Sequence, residues 1–183
     1  MTLTTAKWTL GEYHRMIEAG ILSDRRVELL KGEIVEMPSE GVPHAYFSTN
    51  AGEYLIRLLG DRAKVRQGKP ITLPNDSEPE PDIAIVQPLG RDYLSHHPYP
   101  ENIFWLIEYS EASLTKDLEI KSEIYAEVGI IEYWVVNLKK RHVVVFRDPQ
   151  DREYSTKFTV NAGSVRPVAF PDVEVAIAEV VSA

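Results

Sequence analysis

The sequence predicts an α/β fold: a mixed β-sheet with helices packed on it. Helix-period and strand-like segments run in the order helix, hairpin, helix, several strands, helix, strands. That order lacks the regular βαβα repetition of a barrel or a doubly wound sheet. No G-x-G-x-x-G or G-x-x-x-x-G-K-[ST] occurs, so a phosphate-cradling nucleotide fold is not expected. With 183 residues, 44% hydrophobic and 26% charged, the chain is expected to form one domain over residues 1–183 with a sizeable core. No linker, repeat or low-complexity tract divides it.

Trp8 to Ala19 is predicted as the first helix. Thr9 and Glu12 have capping-box spacing, Tyr13, Met16 and Ile17 form the apolar stripe, and Gly20 is the stop. Arg26 to Met37 reads as a hairpin, because Lys31-Gly32 separates two alternating runs. Pro38 to Pro43 is a loop, and His44 to Leu59 is an amphipathic helix ended by Gly60. Ala63 to Leu73 is expected to be a strand with Lys64 and Arg66 on one face. Asp82 to Val86 is a short central strand, and Pro88 to Asn102 is a long loop.

Ile103 to Tyr109 is apolar until Glu108, the mark of a strand covered on both faces. Asp117 to Val128 is a helix closed by Gly129. Ile131 to Val136, Val143 to Arg147 and Tyr154 to Val160 are further strands, turning at Asn137 to Arg141 and Pro149-Gln150-Asp151. Ala169 to Val181 is expected to be an edge strand and a tail.

The chain has no cysteine, which excludes disulfides, thiolate zinc sites and cysteine nucleophiles. The five histidines show no H-E-x-x-H spacing, and no G-x-S-x-G marks a serine nucleophile. Met1 to Lys7 lacks a signal-peptide pattern, and no run approaches the ~18 apolar residues of a membrane span, so a cytoplasmic protein is expected. A net charge of −8, from 20 basic and 28 acidic residues, argues against a broad basic surface for nucleic acid. A local strip at Lys64, Arg66 and Lys69 remains open to it.

The stretch with chemical content runs from Pro81-Asp82 to Lys121. Asp82 opens one strand, Glu108 closes another, and the next helix brings Lys121. Two carboxylates and an ammonium are the groups that divalent-metal phosphodiester chemistry uses. Each residue also has an ordinary reading. Asp82 serves equally as a cap or salt-bridge partner. Glu108 either emerges into solvent or is buried with a partner. Lys121 pairs with Asp117 on the surface as readily as it faces the sheet. Glu28, between Val27 and Leu29, is of a kind that mostly faces solvent, and His44 reads as a cap or packing residue. Glu132 to Val136 supplies core, sheet pairing or a dimer edge.

V-E-L-L-K-G-E-I-V-E-M-P-S with His44, then E-P-D-I-A-I-V, then L-I-E-Y-S-E-A-S-L-T-K-D-L-E-I-K-S-E-I-Y-A-E-V-G-I-I-E-Y-W-V-V, resembles the Uma-type restriction endonuclease family. That family lies in the PD-(D/E)xK nuclease superfamily and was formerly a domain of unknown function. The likeness spans about Trp8 to Phe146. It implies the restriction-endonuclease-like fold, with Asp82 as the acid of the P-D motif and Glu108 as that of the E-x-K motif. Ser110 stands where the superfamily has lysine, and Lys121 is then the relocated ammonium. Glu28 matches an N-terminal acid that joins such sites.

The resemblance implies a Mg²⁺- or Mn²⁺-dependent DNA endonuclease, with Asp82, Glu108 and the Tyr109 carbonyl as ligands. Lys121 would orient water or stabilise charge, and a homodimer is among the expectations. Two other readings stand beside it. One is a weak or inactive nuclease fold serving as a nucleic-acid or protein binding module. The other is a glycosidase using Asp82 and Glu108, which the local motifs support poorly.

Overall fold

The computed structural model describes residues 5–110 and 116–181, with backbone only at 116 and 117. Helix α1 spans Leu10–Glu18. Thr9 caps it, and the reciprocal Glu12 bond of the capping box forms at 2.9 Å. Tyr13 is buried on its inner face, whereas Ile17 points outward, so the stripe is narrower than its spacing suggested. Strands β1 (Val27–Leu30) and β2 (Glu33–Glu36) form the hairpin. Its turn places Lys31 at φ 48 and Gly32 at φ 75. A side chain at Gly32 would also meet the Trp8 carbonyl oxygen at 2.9 Å, so glycine is required twice over.

Helix α2 (Val42–Leu59) starts two residues earlier than expected, because Pro43 fits the first turn of a helix. Strand β3 (Lys64–Gln67) is much shorter than the predicted run to Leu73. Gly68, at φ 53, turns the chain there. Strands β4 (Ile83–Val86), β5 (Ile103–Ser110), β6 (Glu132–Asn137), β7 (His142–Gln150) and β8 (Glu153–Val160) complete one sheet of order β3-β4-β5-β6-β7-β8. All neighbours are antiparallel except β5 and β6. That parallel pair needs a crossover, which helix α3 (Ser122–Glu127) supplies. The β7–β8 turn falls at Asp151-Arg152, both at positive φ, so Pro149 belongs to β7.

Three expectations fail here. The predicted helix from Asp117 to Val128 is a wider i→i+5 turn over Lys116–Lys121, followed by the short α3. The C-terminal stretch forms no edge strand of the main sheet. It makes a two-stranded ribbon, β9 (Ser164–Val165) with β10 (Val175–Ala176), and then helix α4 (Ile177–Val181). Strand β6 lies inside the sheet, so the dimer-edge reading of Glu132 to Val136 is also set aside.

The sheet has two covered faces. Ile83, Ile85, Ile107, Tyr109 and Trp134 meet α2 and α4. Ala84, Leu106, Tyr133 and Val135 meet the hairpin's Leu30 and α3's Ile124 and Tyr125. Side chains alternate along a strand, so Asp82 and Glu108 share the parity of Ala84 and Leu106. They belong to the hairpin side. The hairpin is held against this face from its other edge too. Glu78 N–H donates to Leu29 O at 2.7 Å, and Lys31 N–H donates to Ser77 Oγ at 2.8 Å.

Candidate active site

The antiparallel register pairs Ile83 with Ile107, so one step further Asp82 stands beside Glu108. The backbone ties them together: Tyr109 N–H donates to Asp82 Oδ2 at 2.6 Å. Gly68 N–H donates to the Asp82 carbonyl at 3.1 Å from the other side. His44, near the start of α2, lies 3.0 Å from the same Oδ2 through Nε2. Among the described residues Asp82 Oδ1 makes no hydrogen bond.

Glu108 is 4% exposed and Lys121 3%. The ammonium donates to Glu108 Oε1 at 2.7 Å and lies 3.3 Å from Glu28 Oε2. Tyr125 OH also donates to Glu108 Oε1, at 3.1 Å. Glu28 is fully buried, because β1 is covered by α1 on one side and by the sheet on the other. Its Oε2 accepts from Glu80 N–H at 3.3 Å. The structure thus brings together Glu28, Asp82, Glu108, Lys121 and Tyr109. The solvent-facing reading of Glu28 and the surface reading of Lys121 do not hold. The side chain of Asp117, the surface partner considered for Lys121, lies outside the described residues.

A cavity of about 60 Å³ opens among Glu28, Glu80, Asp82, Glu108, Tyr109 and Lys121. Burial raises the Glu80 carboxyl above its usual range; Arg26 opposes that, and Glu28 adds to it. Burial also lifts the Tyr125 hydroxyl well above its ordinary value, and the Glu108 charge adds to it. Tyr125 is therefore a neutral donor. For His44, burial alone acts downward, but the hydrogen bond and charge of Asp82, with Glu40 and Glu108, outweigh it and leave His44 raised.

Five carboxylates (Glu28, Glu40, Glu80, Asp82 and Glu108) line this cavity against two cations, the Lys121 ammonium and the Arg26 guanidinium, an excess of negative charge in a small space. Oxygen donors of that kind suit a hard divalent cation, which takes one or two carboxylates plus waters. Among the described residues no group of three or more His, Asp or Glu side chains is gathered into a metal-holding cluster. A set of two carboxylates with a carbonyl and waters does not require one.

The sequence model of a family described as "Uma2: Putative restriction endonuclease" matches residues 10–178. The chain belongs to this family. A solved structure from Anabaena variabilis, titled as a putative nuclease belonging to DUF820, is similar at TM-score 0.72 and 17% identity. The likeness covers 94% of this chain and 96% of that one, and at this identity it shows the fold. No curated protein matches.

Within this Uma2 chain, the departure at Ser110 has a structural counterpart. Ser110 is buried at the end of β5, and Lys121 brings an ammonium to Glu108 from the wide turn instead. Glu80, Glu40, Arg26 and His44 lie at or beside the cavity and were not marked as site residues by the sequence. Glu80 shares the parity of Asp82 across Pro81, which is the sequence signal for its place on the same side. His44 reaches Asp82 over 38 positions, and nothing in its own neighbourhood marks that contact.

Proposed function

We propose that this Uma2 protein is a metal-dependent DNA endonuclease that hydrolyses phosphodiester bonds. One observation carries the reading: a buried ammonium sits against two buried carboxylates, next to Asp82, in an acidic cavity. A purely structural network would have little reason to gather more acids than it neutralises. Asp82 and Glu108, with the Tyr109 carbonyl and waters, hold Mg²⁺ or Mn²⁺ in this reading. The ion supplies charge stabilisation at the scissile phosphate and a bound water of lowered pKa.

The protein's own groups do the rest. Tyr109 N–H and His44 fix Asp82 through Oδ2. Tyr125 and Lys121 fix Glu108 through Oε1. Lys121 meets the charge that develops on the attacked phosphate. Glu28 completes the set as the acid that keeps Lys121 in place. The working unit is the single domain, acting in the cytoplasm. Two copies would offer one site to each strand of a duplex; light scattering with and without DNA tests that arrangement. No described helix is long and apolar enough to cross a membrane.

Calorimetric titration with Mn²⁺ tests the ligands. Asp82→Ala and Glu108→Ala should each abolish binding and leave the circular dichroism spectrum intact. Unchanged affinity in both variants refutes the metal site. Cleavage of supercoiled plasmid with Mg²⁺ or Mn²⁺ tests the activity. The net charge of −8 favours one alternative, a binding module without turnover. That reading takes over if the wild type nicks no DNA.

A further inference from the structure

Strand β3 is an outer strand of the sheet. Val65 turns into the core under α2, so Lys64 and Arg66 alternate to the opposite face. Arg66 is partly buried, yet among the described residues it makes no ion pair. Its Nε is buried without a hydrogen-bond partner. Its Nη2 reaches only the Pro70 carbonyl, at 3.4 Å. Burial pulls the guanidinium below its ordinary range, with Tyr93 acting the other way. In a chain with 28 acids against 20 bases, a partly desolvated arginine without an acid is a cost that a bound anion would offset.

The surroundings suit more than an inorganic anion. The guanidinium lies over the Tyr93 ring, 5.5 Å from its centroid. Tyr93 is fixed in place, because its OH donates to the Gln87 carbonyl at 2.8 Å. A cavity of about 390 Å³ is lined by Lys64, Arg66, Pro88, Tyr93 and Leu94. Leu94 is 83% exposed, an apolar wall that no described residue covers. Two cations beside a held aromatic ring are the parts that bind a strand through its phosphate and its base.

The position agrees. Arg66 pairs with Ala84 and Lys64 with Val86, while Asp82 lies at the near end of the same strand. At ~3.3 Å per residue the register places the backbones of Arg66 and Lys64 beside positions about 7 and 13 Å along the strand from Asp82. We infer that this cavity is a subsite for one unpaired nucleotide of a nucleic-acid strand, its base on the Tyr93–Arg66 platform and its phosphate held by Lys64 and Arg66. The inference deepens the nuclease reading, from which it takes the source of the strand.

The test uses the full chain in EDTA, so that nothing is cut. Fluorescence anisotropy follows a labelled single-stranded DNA, a strand of abasic units, and competition by a free nucleoside monophosphate. Tyr93→Leu should weaken the base-bearing strand on the order of tenfold and leave the abasic strand unchanged. Tyr93→Phe, which keeps the ring but loses the tether to Gln87, should lose less affinity than Tyr93→Leu. Lys64→Gln, at an exposed position, should flatten the salt dependence by about 0.7 in log–log slope, the value for one phosphate contact on a single strand. Unchanged affinity in Tyr93→Leu, or an unchanged slope in Lys64→Gln, overturns the subsite. A monophosphate that competes as tightly as the strand overturns the strand and leaves a free-nucleotide pocket. The two readings fail separately. If the wild type nicks plasmid but Tyr93→Leu binds normally, the subsite falls alone. If the wild type nicks nothing and Tyr93→Leu still loses the strand, the nuclease reading falls and the subsite stands.

Discussion

Lys121 is buried between Glu108 and Glu28, at 2.7 and 3.3 Å, and this makes its substitution informative in two ways. Removing the ammonium strands two buried carboxylates, which typically costs about 3–5 kcal/mol. Lys121→Met keeps the volume and loses the charge. Its urea midpoint should fall in EDTA and recover in part with Mn²⁺, because a second cation can neutralise the same acids. Plasmid nicking should stay lost by a factor on the order of 10²–10³, equivalent to ~2.7–4 kcal/mol of transition-state charge. A variant that nicks as well as the wild type would show that another residue does this work. His44 acts one step further out. It contacts Asp82 Oδ2 and no phosphate group is assigned to it. His44→Ala should weaken Mn²⁺ about 10–100-fold in calorimetry, as loss of an outer-shell hydrogen bond does. Equal affinity would reduce His44 to a packing residue.

The elements differ in how far the sequence foretold them. The α1 capping box and the Lys31-Gly32 turn follow from local rules, and both form. The segment after β5 does not follow local rules. A regular helix would put Ile120 on the buried stripe with Ile124, yet Ile120 is 50% exposed while Lys121 is buried. The wider turn over Lys116–Lys121 displaces Ile120 in a way that no 3.6-residue period contains, whereas Lys121 and Tyr125, four apart, both reach Glu108 Oε1 as helical spacing allows. The hairpin shows the opposite case. Local chemistry fixes its turn, and the turn fixes Glu28. Gly32→Ala would force a positive φ on alanine and press Cβ on the Trp8 carbonyl. It should cost more than about 1 kcal/mol in urea unfolding and lower nicking further than that loss alone explains. Activity preserved at full folding would separate the hairpin turn from the site.

Across the whole molecule, parity along β4 and β5 was readable, but the neighbourhood of their ends was not. Asp82 and Glu108 meet because the two strands pair antiparallel in one register, and Glu28 joins them because the hairpin lies over that face. Both facts depend on contacts far apart in sequence. The same limit hid the role of Glu132, which the sequence offered as core or edge. Glu132 is fully buried, like Glu28, but its surroundings are closed. Its Oε1 accepts from Trp134 Nε1 at 2.8 Å and from Arg147 Nε and Nη2 at 2.9 and 2.7 Å. Its Oε2 accepts from Val168 N–H at 2.6 Å, which straps the C-terminal segment to the sheet. One carboxylate with four donors and no share in the acidic cavity reads as architecture. Glu108 sits in the excess of acid around Asp82. The two acids should therefore respond in opposite ways. Glu132→Ala leaves Arg147 without its partner and should lower stability by about 3–5 kcal/mol, with Mn²⁺ affinity unchanged in the folded fraction. Glu108→Gln removes one like charge from the crowded cavity and should cost the metal-free protein much less, while abolishing Mn²⁺ binding. Urea unfolding and calorimetry on both variants decide the matter. Equal stability losses with metal binding intact in both would make Glu108 a structural acid like Glu132, and the active-site reading would lose its central residue.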